Sequence, residues 1–129
     1  MRPMNPEVKK TWVEALRSGL FKQGKSQLSH KVDGGHTHCC LGVLEELFCT
    51  AHGRRFTPLQ RGYGVHTKRT AKWSGLSRND DDEGQTFHYK TRDRGSLLKH
   101  DTPAYEHLAE MNDMGKGFKA IATWIEKHL

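Results

Sequence analysis

No apolar run of membrane-spanning length occurs in the sequence. A bilayer helix needs about 18–20 consecutive apolar residues, whereas this 129-residue chain is 34% hydrophobic and its apolar residues are scattered. No short hydrophobic stretch follows a basic N-terminus, as it does in a secretory signal. We therefore expect no membrane partner and a cytoplasmic location. The length fits a single domain over residues 1–129.

Cysteine is scarce and unevenly placed. The chain has three cysteines, Cys39, Cys40 and Cys49, and two of them are adjacent. An odd number with an adjacent pair is a poor basis for the disulfide framework of a small secreted protein. We expect all three thiols to be reduced.

Acidic residues are absent from residues 54–78, which we call the basic loop region, and an acidic turn follows at 79–84. The basic loop region holds seven cations, and the whole chain carries a net charge of +6 at pH 7. Cations attract phosphates, and aromatic rings stack on bases at about 1–3 kcal/mol per base. The candidate anion-binding residues are Arg54, Arg55, Phe56, Arg61, Tyr63, Lys68, Arg69, Lys72 and Trp73, with Arg78 at the end of the region.

A second group of cations follows this region and would extend the same surface: Lys90, Arg92, Arg94, Lys99 and His100. The alternative interpretation of residues 54–78 is a solvated loop whose aromatic side chains belong to the core. Net charge favours an anionic partner without identifying it.

Apolar periodicity predicts helices at both ends and in the middle of the chain. Asn5 followed by proline is typical of a helix start, and this helix should end near Ser18. Leucines at helical spacing predict a helix from Leu41 to about Ala51, with Glu45 and Glu46 off the apolar stripe. A short helix is predicted over 67–73, and two more over 103–112 and 118–129.

Alternation of apolar and polar residues predicts strands at 27–32 and 36–40, joined by the turn signal Asp33-Gly34-Gly35. It also predicts a further strand at 85–91 around Phe87. The expected fold class is α+β. A small antiparallel sheet, made of the hairpin plus one or two strands, packs against N-terminal, central and C-terminal helices. Because a chain of this length buries only about two thirds of its surface, we also expect self-association into a homo-oligomer.

Two pairs of side chains have the residue types of a zinc site. His36 and His38 share one face of a strand, and Cys49 and His52 stack on one helix. Zinc takes four such ligands tetrahedrally, but a helix of about 15 Å separates the pairs. We expect instead buried cysteines that act as small hydrophobes, with no cofactor, and keep structural zinc as the alternative.

Cys40 is the candidate nucleophile. It stands at a predicted strand-to-helix junction, where a helix N-terminus lowers a thiol pKa, and histidines lie nearby in sequence. Apolar neighbours such as Leu41 favour an inert, protonated thiol instead. The sequence has no hydrolase, metalloprotease, phosphate-loop or dinucleotide signature. We expect a protein that is not an enzyme, and a Cys-dependent hydrolase is the second alternative.

Four stretches resemble a family of small, mostly uncharacterised proteins of tailed bacteriophages and prophages: NPEVKKTWVEALRSG, CCLGVLEEL, KWSGL and LAEMNDMGKGFKAIATWIE. They include the motifs CCLGVL and NDxGxxFxxIA and cover about half of the chain. The family often has a further cysteine directly after CCLGVL, where this chain has Glu45. The resemblance implies phage origin and action in the host cytoplasm, and it implies no catalytic residue.

Charge and resemblance together lead to one functional expectation. We expect a phage accessory protein that binds an anionic ligand, a nucleotide or nucleic acid, or docks on a host protein, and so counters a bacterial defence or another host process. The first alternative is a zinc-stabilised protein interaction module.

Overall fold

The computed structural model describes residues 3–78, 86–90 and 99–129, and only the backbone of 86–90 and 99–102. Within these ranges the chain forms six helices and two small sheets. The helices are α1 (Pro6–Arg17), α2 (Cys40–Ala51), α3 (Pro58–Arg61), α4 (Lys68–Ser74), α5 (Ala104–Asp113) and α6 (Phe118–His128). The strands are β1 (Lys22–Gln23), β2 (Ser29–Val32), β3 (Gly35–His38), β4 (Thr86–Lys90) and β5 (Lys99–Pro103).

The α+β class is confirmed, and helices flank the three-stranded sheet. The predicted N-terminal helix begins as expected, because the Asn5 side chain accepts hydrogen bonds from the backbone of Glu7 at 2.9 Å and Val8 at 3.4 Å. Each described helix is too short or too polar to cross a membrane. The acidic turn at 79–84, and Arg92 and Arg94, lie outside the described residues.

The sheet is mixed rather than purely antiparallel. The predicted hairpin forms between β2 and β3, with Ser29 opposite His38 and Val32 opposite Gly35. No strand is predicted before residue 27, but β1 lies there and pairs in parallel with β3. The strand around Phe87 does not join this sheet, because β4 pairs with β5 in a second sheet.

Helix α2 lies at the centre of the core. Its first six residues, Cys40 to Glu45, are all buried, and a helix that is buried around its circumference needs neighbours on every side. Cys39 was expected in the strand 36–40, but it caps α2 instead. Its sulfur accepts a hydrogen bond from the Gly42 N–H at 3.3 Å. The fully buried Trp12 of α1 donates from its indole to the Cys40 carbonyl at 2.9 Å.

Gly42 allows the chain before β2 to lie directly against α2. A Cβ at this position would stand 1.8 Å from the carbonyl oxygen of Leu28, which is itself fully buried. The same carbonyl accepts a hydrogen bond from the Cys39 N–H at 3.1 Å. Any side chain at position 42 would therefore separate the sheet from the helix.

Asn112 joins three elements from the end of α5. Its side chain is fully buried, accepts from the Cys40 N–H at 3.1 Å and from the Gln23 amide at 2.9 Å, and donates to the Gly24 carbonyl at 2.7 Å. The Cys40 N–H belongs to the first turn of α2, whose donors have no partner within the helix. Asn112 therefore provides a hydrogen-bond partner both for the N-terminus of α2 and for the chain next to β1.

His66, which the sequence analysis did not single out, is fully buried beside the Tyr105 ring. Its Nε2 lies 2.7 Å from the Leu76 carbonyl oxygen, so Nε2 carries the proton and donates. Burial lowers the pKa of His66 to about 4. The charged neighbours act in opposite directions, since Glu45 favours the protonated ring and Arg78 disfavours it.

Gly42→Ala is expected to destabilise the fold by about 3 kcal/mol, because the added methyl meets backbone that cannot move without separating β2 from α2. Gly62→Ala is the matched control, since a Cβ there makes only ordinary contacts, the nearest at 3.5 Å. Urea unfolding followed by circular dichroism measures both variants. Equal stability of the two variants would show that the Leu28 contact does not constrain the fold.

His66→Gln is expected to weaken the dependence of stability on pH. An unfolded histidine protonates below about pH 6.5, whereas folded His66 stays neutral until about pH 4. Its contribution is therefore complete above pH 6.5 and is lost as the pH falls towards 4, by about 2–3 kcal/mol between pH 7 and pH 4.5. Urea titrations at both pH values measure this loss. An equal loss of stability in the wild type and in H66Q would show that protonation of His66 does not cause it.

Candidate basic pocket

A pocket of about 910 Å³ opens beside the C-terminal end of α2, α3 and the first turn of α4. Its volume falls within the range of small-molecule sites, about 300–1,000 Å³. Five cationic side chains line it: Arg54, Arg55, Lys68, Arg69 and Arg78. The remaining lining residues are Phe48, Cys49, Thr57, Leu59, Gln60, Tyr63, Gly64, Val65 and Thr67. In the part of the chain that the structure describes, no acidic residue lines the pocket.

Arg54 and Arg55 reach the pocket because α2 ends in a tight turn. Gly53 adopts a positive φ of 61°, and the Arg54 N–H donates to the Cys49 carbonyl at 2.8 Å. The chain thus leaves the helix next to Cys49, with both arginine side chains exposed. A glycine is typical of a helix end, but only the observed turn shows that Gly53 directs the two arginines to the pocket.

Lys68 and Arg69 lie in the first turn of α4, after the N-cap Thr67. That turn contains no acidic residue. Cations near a helix N-terminus oppose the helix dipole, typically by about 0.3–1 kcal/mol each. Their position therefore does not serve helix stability.

Glu45 holds two segments of the pocket wall, α3 and the start of α4, against the core through hydrogen bonds. The fully buried carboxylate accepts from the Thr67 N–H at 2.8 Å, from the Thr67 hydroxyl at 3.0 Å and from the Gln60 amide. Gln60 also completes a capping box with Thr57 at the start of α3. Glu45 lies off the apolar stripe of its helix, yet it is fully buried because α3 and α4 cover that side.

Cys49 is the thiol nearest to the pocket. Its side chain is buried, and its sulfur accepts from the Gln60 amide at 3.5 Å. Burial raises the pKa of Cys49, although the hydrogen bond from Gln60 acts in the opposite direction. The thiol is therefore held in its protonated, weakly nucleophilic form.

A family model described as Domain of unknown function (DUF8296) matches residues 4–129. The chain belongs to this family. Comparisons with curated proteins and with solved structures give no match. The match covers both the basic loop region and the helices around it, so the pocket lies within the domain that defines the family.

Four of the predicted anion-binding residues in this DUF8296 chain do not line the pocket. Phe56 is buried, and the Arg61 guanidinium lies 4.3 Å above its ring. Arg61 also donates to the Ser29 hydroxyl at 2.8 Å and to the Phe56 carbonyl at 3.1 Å. Through these contacts Arg61 stabilises the fold instead of lining the pocket.

Trp73 packs against the rings of Phe48 and His52, with centroids 5.6 and 5.8 Å apart. Lys72, on the same helix, is exposed but does not line the pocket. The predicted residues that do line it are Arg54, Arg55, Tyr63, Lys68 and Arg69. Side chains of the second cationic cluster at Lys90, Lys99 and His100 lie outside the described part of the structure.

The four metal candidates do not form a ligand set. His38 is buried between Phe21 and Phe56, with ring centroids 5.3 and 5.8 Å away, while His36 is exposed. The His52 ring packs on Phe48 at 4.3 Å. Across residues whose side chains are described, no three His, Cys, Asp or Glu lie close enough to hold one metal ion.

The nucleophile candidate Cys40 is the first residue of α2, not the residue before it. It is fully buried, and burial raises the pKa of its thiol well above the ordinary value, with the neighbouring Cys39 adding to the effect. The raised pKa agrees with the inert, protonated thiol that the apolar neighbours of Cys40 favour, because desolvation of the thiolate is the largest effect on this group.

Glu45→Gln is expected to lower the free energy of unfolding by about 2 kcal/mol. The amide keeps one acceptor oxygen for the buried donors of Gln60 and Thr67, and hydrogen bonds to a charged group contribute about 1.5–3 kcal/mol. Chemical denaturation measures the change. Glu14→Gln, at an exposed site on α1, controls for the loss of one negative charge and should be near neutral. A neutral E45Q would contradict the supporting role of Glu45.

Proposed function

We propose that this protein is a non-enzymatic binding protein that holds a small anionic ligand, a nucleotide, in the basic pocket. The observation that carries the proposal is the convergence of four arginines, Arg54, Arg55, Arg69 and Arg78, from three separate chain segments on one pocket, with no carboxylate among the described lining residues. Like charges brought together repel one another. An anionic ligand would relieve this repulsion.

The shape of the site supports a small ligand over an extended nucleic acid. Among the residues whose side chains are described, five cations line one concave volume. Tyr63 and Leu59 stand beside them with 43% and 74% of their surface exposed. An exposed ring and an apolar wall next to cations suit a base and a phosphate on one molecule.

Non-enzymatic binding is proposed because the chemistry of the lining is limited. Its one thiol, Cys49, is kept protonated by burial, and the carboxylate behind it is fully engaged as a hydrogen-bond acceptor from Gln60 and Thr67. Binding alone suffices for a protein that withdraws a ligand from another process. With the tailed-phage resemblance, this extends the proposal to an accessory protein that sequesters a nucleotide and so counters a bacterial defence or host process.

Replacing Arg54 and Arg69 together with alanine is expected to weaken binding of a fluorescent adenine nucleotide at least tenfold. Each lost charge-assisted hydrogen bond contributes about 1.5–3 kcal/mol. Fluorescence anisotropy at fixed ionic strength measures the dissociation constant.

Lys72→Ala is the matched control, because Lys72 belongs to the same basic region and the same helix as Arg69 but does not line the pocket. It should change the dissociation constant less than threefold. Equal losses in the two variants would show a diffuse charge effect, and no nucleotide binding by the wild type would refute the proposal.

A further inference from the structure

We infer that the ligand of the basic pocket is a purine nucleotide, whose base stacks on the exposed ring of Tyr63 and packs against the side chain of Leu59. This inference rests on the proposed function and names the ligand class of the same site. It depends on the apolar part of the pocket wall, which selects the base, and not on the number of charges around the pocket.

Tyr63 differs from every other aromatic residue whose side chain the structure describes. It alone among them is exposed, with 43% of its surface accessible to solvent. Phe48, the other aromatic residue of the pocket lining, packs on the rings of His52 and Trp73. Tyr63 takes part in none of the ring pairs among the described residues. Its ring is therefore an aromatic face that the folded core does not use.

The backbone of Tyr63 is fixed on both sides although its ring is exposed. Its N–H donates to the Gln60 carbonyl at 3.2 Å, and its carbonyl accepts from the Leu28 N–H at 2.8 Å. Leu28 is fully buried, so Tyr63 is attached directly to the core. A ring on a fixed backbone loses little conformational freedom when a ligand covers it, and this favours binding.

Leu59 extends this apolar face. It lies on α3, four residues before Tyr63, and lines the same pocket with 74% of its surface exposed. The half-buried Val65 belongs to the same lining. The hydrophobic stabilisation gained on binding rises with the apolar area that is covered. A two-ring purine covers more of this face than a one-ring pyrimidine, so the pocket should prefer purines.

The arginines of the pocket determine the other end of the ligand. Arg54 and Arg55 are exposed and line the same volume of about 910 Å³ as Tyr63 and Leu59. The planar guanidinium group matches the geometry of phosphate and binds it in a bidentate manner. One molecule with a planar base and a phosphate therefore fits both parts of the pocket.

The first test compares ATP, GTP, CTP and UTP, titrated into the full chain by isothermal calorimetry without divalent cations. The four ligands carry the same phosphates, so any difference in affinity comes from the base. The weaker-binding purine should bind at least fivefold more tightly than the tighter-binding pyrimidine. A smaller difference would overturn the purine inference and leave the proposed function intact, whereas failure of all four to bind would overturn the proposed function itself.

Variants of the apolar face test which residues select the base. Tyr63→Ala should weaken ATP binding about tenfold, because the stacking surface is lost, and should bring ATP within threefold of CTP. Tyr63→Phe keeps the ring and should keep the purine preference. Leu20→Ala is the matched control, because Leu20 is 85% exposed but does not line the pocket, and it should leave ATP binding unchanged. A folded Y63A variant that keeps the fivefold preference would contradict the inference.

An independent measurement uses the wild-type protein alone. The H2 and H8 resonances of adenine should move upfield when ATP binds, because a proton above an aromatic ring is shielded by its ring current. One-dimensional proton NMR of ATP with increasing amounts of protein measures the shift. Binding of ATP without an upfield shift of either proton would show that the base does not stack on Tyr63.

Discussion

The first six residues of helix α2, Cys40 to Glu45, are enclosed by the rest of the chain, and this enclosure constrains the polar groups that they carry. The Cys40 N–H is paired with Asn112 and the Cys40 carbonyl with Trp12. The Glu45 carboxylate is paired with groups of α3 and α4 through Gln60 and Thr67. Because an unpaired buried polar group costs about 1–3 kcal/mol, these partners are required wherever the helix is covered.

The same enclosure builds the pocket. Glu45 holds α3 and the start of α4 against the core, and the turn at Gly53 directs Arg54 to the pocket. Five cations line the resulting open volume, and Lys68 and Arg69 lie in the first turn of α4. A cation at the N-terminus of a helix opposes the helix dipole.

Residues from the four stretches that resemble phage proteins are hydrogen-bonded to one another within the fold. Asn5 donates from its backbone to the Ser74 carbonyl at 2.7 Å, Trp12 donates to Cys40, and Cys40 donates to Asn112. Each of these residues lies in one of the four resembling stretches. These residues therefore contribute to the scaffold.

The sequence by itself determined the α+β class, the helices other than α3, and the hairpin, because capping, apolar periodicity and turn residues act within a few positions of the chain. It also placed the cations of the pocket in one acid-free region. Only the tertiary structure decided that Glu45 is buried, that β1 pairs in parallel with β3, and that Arg54 faces the pocket while Arg61 supports Phe56. Those outcomes depend on which distant segments cover a side chain, and neither propensity nor net charge contains that information.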